Sequence, residues 1–158
     1  MKIARVTLSD RATAGVYADR SGPEIERVWA EHGGTAAEWV RVLIADDRAE
    51  IEATLRRLCD TDRCDLVLTT GGTGPAPRDV TPEATRAVLD RELPGFGEIM
   101  RVQSFAKVPT AILSRATAGT RGRTLVINLP GNPRAIGECL PLLLPAIAEA
   151  LRHLRGEP

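Results

Sequence analysis

Two hydrophobic periods take turns along this chain, a strand-like run and a helix-like recurrence. Ile3 to Leu8 is a short apolar run closed by Ser9-Asp10, which predicts a buried strand opening into a loop. The loop runs to about Gly22. Pro23 then stands where a helix opens, and Ile25, Val28 and Trp29 recur at helical spacing until Gly33-Gly34 stops them. Glu38 to Ile44 alternates as a second strand. After Ala45-Asp46-Asp47, the residues Ile51, Leu55, Leu58 and Cys59 mark one face of a second helix. Asp65 to Thr70 is nearly continuous in apolar residues, as befits a strand covered on both faces, and it ends in Gly71-Gly72-Thr73-Gly74.

Further along, Thr81 is placed to cap a helix beginning with Pro82-Glu83, and part of Phe96 to Phe105 reads as another helix. Thr110 to Leu113 and Thr124 to Asn128 are predicted as two more strands. Asn132-Pro133 opens a last helix whose apolar face carries Ile136, Leu140, Leu143, Ile147 and Leu151, with Pro141 and Pro145 expected to kink or break it. Strands alternating with helices predict an α/β protein with a mainly parallel sheet and helices on both faces. No repeat or linker interrupts the pattern, so residues 1–158 are expected to form one domain. In such sheets ligands bind beyond the carboxyl ends of the strands. The predicted exits are Ser9-Asp10, Asp46-Asp47, Gly71 to Gly74, Ser114-Arg115 and Leu129 to Asn132, all built from groups that suit phosphate and a divalent cation.

Composition narrows the chemistry. Lys plus Arg and Asp plus Glu both number 21, so no bulk field draws the protein to nucleic acid or to a membrane surface. The few aromatic residues are too scattered for a base-stacking platform. Cys59, Cys64 and Cys139 form no CxxC pair, and His32 and His153 stand alone, which argues against a disulfide framework, a zinc site and a histidine triad. The cysteines are expected to pack as small apolar side chains. The polar turn at Ser9 and the lack of a bilayer-length apolar stretch predict a cytoplasmic protein.

The densest motif is TTGGTGPAPRDVTPEAT at Thr69 to Thr85. Three glycines in four residues allow a tight turn and bring backbone N–H groups close to a ligand, for which phosphate is the natural guest. Gly74-Pro75-Ala76-Pro77 fits neither the Walker loop nor the dinucleotide fingerprint. Arg78-Asp79 presents a cation and an anion beside this loop: a phosphate anchor and a metal ligand on one reading, a surface ion pair on the other. Asp46 and Asp47 are open to a similar choice between metal ligand and helix cap.

LSDRATAGVYADRSGP at Leu8 to Pro23, the Thr69 to Thr85 motif, LPGFGEIMR at Leu93 to Arg101, PTAILSRATAG at Pro109 to Gly119 and INLPGNPRAIGECL at Ile127 to Leu140 follow one another in order. With these motifs, over nearly its whole length, the chain resembles the MogA/MoaB-type molybdopterin adenylyltransferases of molybdenum cofactor biosynthesis, relatives of the gephyrin G domain. The resemblance implies a three-layer α/β/α sandwich, a homotrimer, and transfer of AMP from Mg-ATP to the terminal phosphate of molybdopterin with release of pyrophosphate. It also implies hand-over of the product to a molybdenum-inserting enzyme. By motif, Asp79 and Asp46 match the family aspartates associated with Mg²⁺ and catalysis. Ala45 stands where the family often has proline, which leaves Asp47 as the alternative to Asp46. Gly71, Gly72, Thr73 and Gly74 match the substrate loop, Ser114 and Arg115 an element on the pterin-phosphate side, and Pro130, Gly131 and Asn132 a turn near the ligand. Arg78 joins Ser114 and Arg115 as a candidate phosphate anchor. Ser9, Asp10, Asp19, Ser21 and Gly22 either frame the nucleotide pocket or satisfy loop backbone. Two other readings stay open: a molybdopterin-binding module that does not adenylylate, and a CinA-like nucleotide-acting enzyme of the same fold.

Overall fold

Strands with apolar residues on both sides must be covered on both sides, and the sheet is built on that requirement. A computed structural model describes residues 1–33 and 36–157; the predicted stop at Gly34 lies outside the described residues. The strands are β1 (Lys2–Leu8), β2 (Glu38–Ile44), β3 (Leu66–Thr70), β4 (Arg91–Glu92), β5 (Ala118–Arg121) and β6 (Thr124–Leu129). They form one sheet in the order β2-β1-β3-β6-β5-β4. The first four in that order are parallel, with Ile3 opposite both Trp39 and Leu66, and Leu66 opposite Leu125. β5 and β4 run antiparallel at one edge.

The two-residue alternation splits the core cleanly. Ile3, Leu66, Leu68, Leu125, Ile127 and Leu129 face one side, while Ala4, Val6, Leu8, Val67 and Val126 face the other. After the short α1 (Asp10–Thr13), helices α2 (Ser21–His32), α3 (Arg48–Arg56), α4 (Thr81–Val88), α5 (Gly95–Phe105) and α6 (Pro133–Arg155) supply the outer layers. Ile25, Val28 and Trp29 of α2, Phe96 and Met100 of α5 and the stripe of α6 cover the first face; Ile51 and Leu55 of α3 and Ala84 and Val88 of α4 cover the second. The result is the expected three-layer α/β/α sandwich. Cys59, Cys64 and Cys139 are free and buried, and burial pushes the Cys59 and Cys64 thiols up to about 11.

Four local expectations need correction. Thr110 to Leu113 is not a strand but part of a 3₁₀ turn, Pro109–Leu113, none of whose residues is buried. The strand follows it, at Ala118–Arg121. Its small and polar residues carry little β signal, and pairing with β6 settles its conformation. Leu58 and Cys59 belong to a π-helical turn, Arg57–Thr61, that continues α3. Thr81 is the first residue of α4 rather than its cap: Val80 stands at the cap position, and the Thr81 hydroxyl donates instead to the Gly71 carbonyl at 2.9 Å. Finally, α6 runs unbroken through Pro141 and Pro145. Pro145 is exposed and Pro141 half-buried, so the helix tolerates the lost N–H groups while Ile136, Leu140, Leu143, Ile147 and Leu151 stay packed.

A polar staple holds the layers in register near the strand ends. The fully buried Asn128 of β6 donates to the hydroxyls of Thr69 (3.0 Å) and Thr85 (2.9 Å) and accepts from the Thr117 backbone N–H at 3.3 Å. Asn128→Leu removes these bonds at nearly constant volume and leaves the groups dry. We expect a loss of about 2–4 kcal/mol, read as a lower urea midpoint with an unchanged slope.

Candidate active site

The chain runs from β1 out to β2, then returns past β1 to β3, so the strand order reverses between β1 and β3. Reversal splays the two following loops apart and opens a crevice at the carboxyl ends of the strands. A cavity of about 710 Å³ lies there. Leu8 to Arg11, Asp46, Thr70 to Gly72, Asp79, Gly131 and Pro133 line it, and residues 17–21 of the first loop form its outer wall.

The glycine loop forms the floor because only glycine fits. Gly71 and Gly72 have φ of 98° and 63°. A Cβ on Gly71 would lie 2.3 Å from the Leu8 carbonyl oxygen, and one on Gly72 would lie 2.3 Å from Thr81 Oγ1 and 3.1 Å from Asp46 Oδ1. Thr81 fastens the loop through its hydroxyl and through its N–H, which donates to Gly72 O at 3.1 Å. Arg115 fastens the far side. Its backbone N–H donates to Thr73 O at 2.8 Å, and its guanidinium donates to Gly74 O at 2.9 Å and to Asp79 O at 2.6 Å while pairing with Glu83. Arg115 therefore holds the loop in shape from outside the cavity.

Two aspartates clasp each other between the exits of β1 and β2. The Asp10 N–H donates to Asp46 Oδ2 at 3.0 Å, and the Asp46 N–H donates to Asp10 Oδ1 at 3.0 Å. Arg78 grips Asp10 with two bonds of 2.9 Å. The other Asp46 oxygen, Oδ1, is buried without a hydrogen-bond partner. Burial pushes the Asp46 carboxyl above its ordinary range, and the charges of Asp10 and Asp79 push it further in the same direction. Asp10 is held below that range by the Asp46 N–H and by Arg78. Asp79 Oδ2 accepts from the Ala76 N–H at 3.0 Å, closing the turn that carries it. Neighbouring Asp47 caps α3 through Glu50 N–H at 2.9 Å, so the pair divides the roles and Asp46 takes the cavity.

The first loop both frames the cavity and satisfies its own backbone. Asp19 accepts from Arg5 Nη1 at 2.8 Å, from Thr7 Oγ1 at 2.9 Å and from Gly22 N–H at 3.0 Å. Gly22 itself packs against Arg5 and does not line the cavity. Ser21 Oγ donates to Gly131 O at 2.7 Å, tying this loop to the exit of β6. Ser9 Oγ accepts from Ala12 N–H at 3.1 Å and shares a 2.8 Å bond with Tyr17.

Of the residues expected from sequence, Ser9, Asp10, Asp19, Ser21, Asp46, Gly71, Gly72, Asp79 and Gly131 meet at this cavity. Thr73, Gly74, Arg78, Ser114, Arg115, Pro130 and Asn132 are not part of its lining. Pro130 O receives the Thr70 hydroxyl at 2.7 Å, Asn132 caps α6 by accepting from Arg134 N–H at 2.9 Å, and Ser114 Oγ accepts from Ala116 N–H at 3.3 Å. Arg11, Tyr17, Arg20, Thr70 and Pro133 line the cavity without having been singled out. Arg11 lies 5.2 Å from the Tyr17 ring centroid, and neither it nor Arg20 pairs with a carboxylate among the described residues. Their position on the same loop as Asp10 was the available signal.

The lining thus carries four carboxylates, of which Asp19 and Asp10 are matched by Arg5 and Arg78. Asp46 and Asp79 have no arginine ion pair among the described residues and could hold a cation. Oxygen donors, one of them buried and unpaired, fit Mg²⁺. No group of three or more His, Cys, Asp or Glu side chains gathers as a complete cage among the described residues, so these two would share the ion with oxygens of a bound phosphate compound.

A family model described as "Probable molybdopterin binding domain" matches residues 4–149. The chain belongs to this family. Among molybdopterin-binding-domain relatives, the molybdopterin adenylyltransferase of Helicobacter pylori (strain J99) is 53% identical over 154 residues, covering 98% of this chain and 88% of that protein. The molybdopterin adenylyltransferase of Escherichia coli K12 is 53% identical over 140 residues, 89% of this chain and 72% of that one. The crystal structure of the molybdopterin biosynthesis enzyme MoaB from Thermus thermophilus superposes with a TM-score of 0.89 at 43% identity, over 99% of this chain and 98% of that one.

Gly72→Ala should destabilise the protein by about 2 kcal/mol or more, from the left-handed backbone and the clash with Thr81. Urea unfolding reads the loss. The same variant, kept folded at low temperature, should bind ATP analogues more weakly in calorimetry, because Asp46 and the loop move apart.

Proposed function

We propose that residues 1–158 act as one molybdopterin adenylyltransferase domain, joining the terminal phosphate of molybdopterin to AMP drawn from Mg-ATP. The observation that carries this reading is the buried, unpartnered Asp46 oxygen beside Asp79, above a glycine floor at the reversal of the sheet. The relatives named molybdopterin adenylyltransferase support it over both other readings.

Bringing two polyanions together is the physical difficulty, since like charges at contact repel strongly in a partly dry cleft. Asp46 and Asp79 would hold Mg²⁺ together with ATP phosphate oxygens. When bound there, the ion would supply positive charge that screens the phosphates. The exposed guanidiniums of Arg11 and Arg20 anchor phosphate oxygens from the wall, and the positive end of α6 behind Pro133 adds to their field. A molybdopterin phosphate oxygen attacks the α-phosphorus of ATP; that P–O bond forms, the bond to the β-phosphate bridging oxygen breaks, and pyrophosphate carries away the electron pair. The attacking oxygen is already ionised near neutral pH, so no general base is required. Neither histidine lines the cavity: His32 lies beside Glu31 and His153 beside Glu149. The chain's part is positioning and electrostatics.

The working form is a homotrimer of a cytoplasmic protein. Val102 and Phe105 of α5, Val108 just before the 3₁₀ turn and Ile112 and Leu113 within it form an apolar patch, with Val102 67% and Ile112 61% exposed. Burial of such a patch between copies removes it from water. The adenylylated product then passes to a molybdenum-inserting enzyme.

Incubating the protein with molybdopterin and Mg-ATP should release pyrophosphate and adenylylated pterin in equal amounts. Binding without pyrophosphate would reduce the domain to a binding module, and ATP consumption without pterin would indicate a different nucleotide reaction. Asp79→Asn keeps the acceptor for the Ala76 N–H, so it should fold and bind molybdopterin while losing roughly 10²-fold in turnover. In sedimentation, Val102→Asp with Ile112→Asp should turn a species of three chains into a single chain.

A further inference from the structure

Arg78 and Asp10 look at first like substrate ligands, an exposed cation and an anion beside a phosphate-binding loop. Their bonds say otherwise. Arg78 lies outside the cavity lining, and its guanidinium is already spent on both oxygens of Asp10. Asp10 in turn spends Oδ1 on the backbone N–H of Asp46, and its own N–H on Asp46 Oδ2. This exchange fixes both the main chain and the carboxylate of Asp46. It also decides which Asp46 oxygen is satisfied and which is left bare: Oδ2 is bonded, Oδ1 is not.

We infer that Asp10 and Arg78 are positioning residues, a relay in which Arg78 holds Asp10 and Asp10 fixes the Asp46 carboxylate at the cavity lining as a cation ligand. The inference rests on the proposed metal-dependent reading of the site. Three elements meet in the relay, the exits of β1 and β2 and the turn after β3, so it also sets the spacing between Asp46 and the glycine floor. Mutation of groups that orient a metal ligand typically weakens metal affinity by about 10–100-fold. The relay therefore predicts a signature opposite to that of a phosphate anchor. An anchor removed raises the KM of its substrate; a positioning residue removed raises the metal requirement.

The test uses the full-length protein and Mn²⁺ as the probe, measured by electron paramagnetic resonance with and without a non-hydrolysable ATP analogue, alongside steady-state kinetics at varied Mg²⁺. Arg78 is 66% exposed in its side chain, so Arg78→Ala should fold as wild type. It should weaken Mn²⁺ binding by about 10-fold and raise the half-saturating Mg²⁺ to match, with the KM values for ATP and molybdopterin at saturating metal unchanged. Asp10→Asn keeps an acceptor for the Asp46 N–H but turns an amide against Arg78, so it should resemble Arg78→Ala. Asp10→Ala loses both and should be weaker still. Arg78→Lys should recover part of the affinity, and adding Arg78→Ala to Asp10→Asn should cost little more than either alone. Unchanged Mn²⁺ affinity in Arg78→Ala and Asp10→Asn, with a raised KM for either substrate, would overturn the relay and make these residues substrate ligands. A wild-type protein that binds no Mn²⁺ in either condition would overturn the metal reading itself, and the relay with it.

Discussion

A carboxylate oxygen buried without a hydrogen-bond donor is the constraint around which the site is arranged. Leaving such an atom buried is unfavourable, and ordinary cores avoid it. Here it is tolerated because the groups around it are locked from several directions: the Asp10 backbone, the Thr81-fastened glycine turn and the arginine-held far side of the loop. The surrounding structure stores the mismatch at one atom. A cation held by the Asp46 carboxylate, as proposed above, would offset that cost.

The same logic explains the division of labour among arginines. Arg5 and Arg115 are half-buried and each is committed to several acceptors at once, joining the first loop to β1 and the glycine loop to α4. Planar, multidentate guanidinium suits that task in a way that a lysine would not. Arg11 and Arg20 are exposed on the cavity wall with no carboxylate to satisfy among the described residues. Fixed arginines build the site, and free ones face its contents.

Much of this was legible from the chain itself. The inner parallel strands announced themselves through the apolar runs at Ile3 and Asp65, because burial on both faces leaves no room for another pattern, and the edge strand β2 through its alternation. The meeting of Asp46, Gly72 and Asp79 followed from the rule that open sheets bind at their carboxyl ends. What sequence left hidden depends on distant partners. Ala118–Arg121 becomes a strand only because β6 lies alongside, and Pro109–Leu113 fails to become one although its composition invites it. Ser114 and Arg115 were expected as phosphate anchors, yet neither lines the cavity and the Arg115 guanidinium turns toward Glu83, a partner 32 positions away. Whether Asp46 or Asp47 caps a helix is likewise a matter of one peptide's orientation, which periodicity does not encode.

Ser21 and Gly131 meet across 110 positions of chain. That hydrogen bond closes a wall of the cleft only after residue 131 has emerged from the ribosome. A nascent chain can lay down β1, β2 and β3 early, but it carries no finished cradle. Competence arrives late and all at once, so an unfinished product of translation carries no closed cavity.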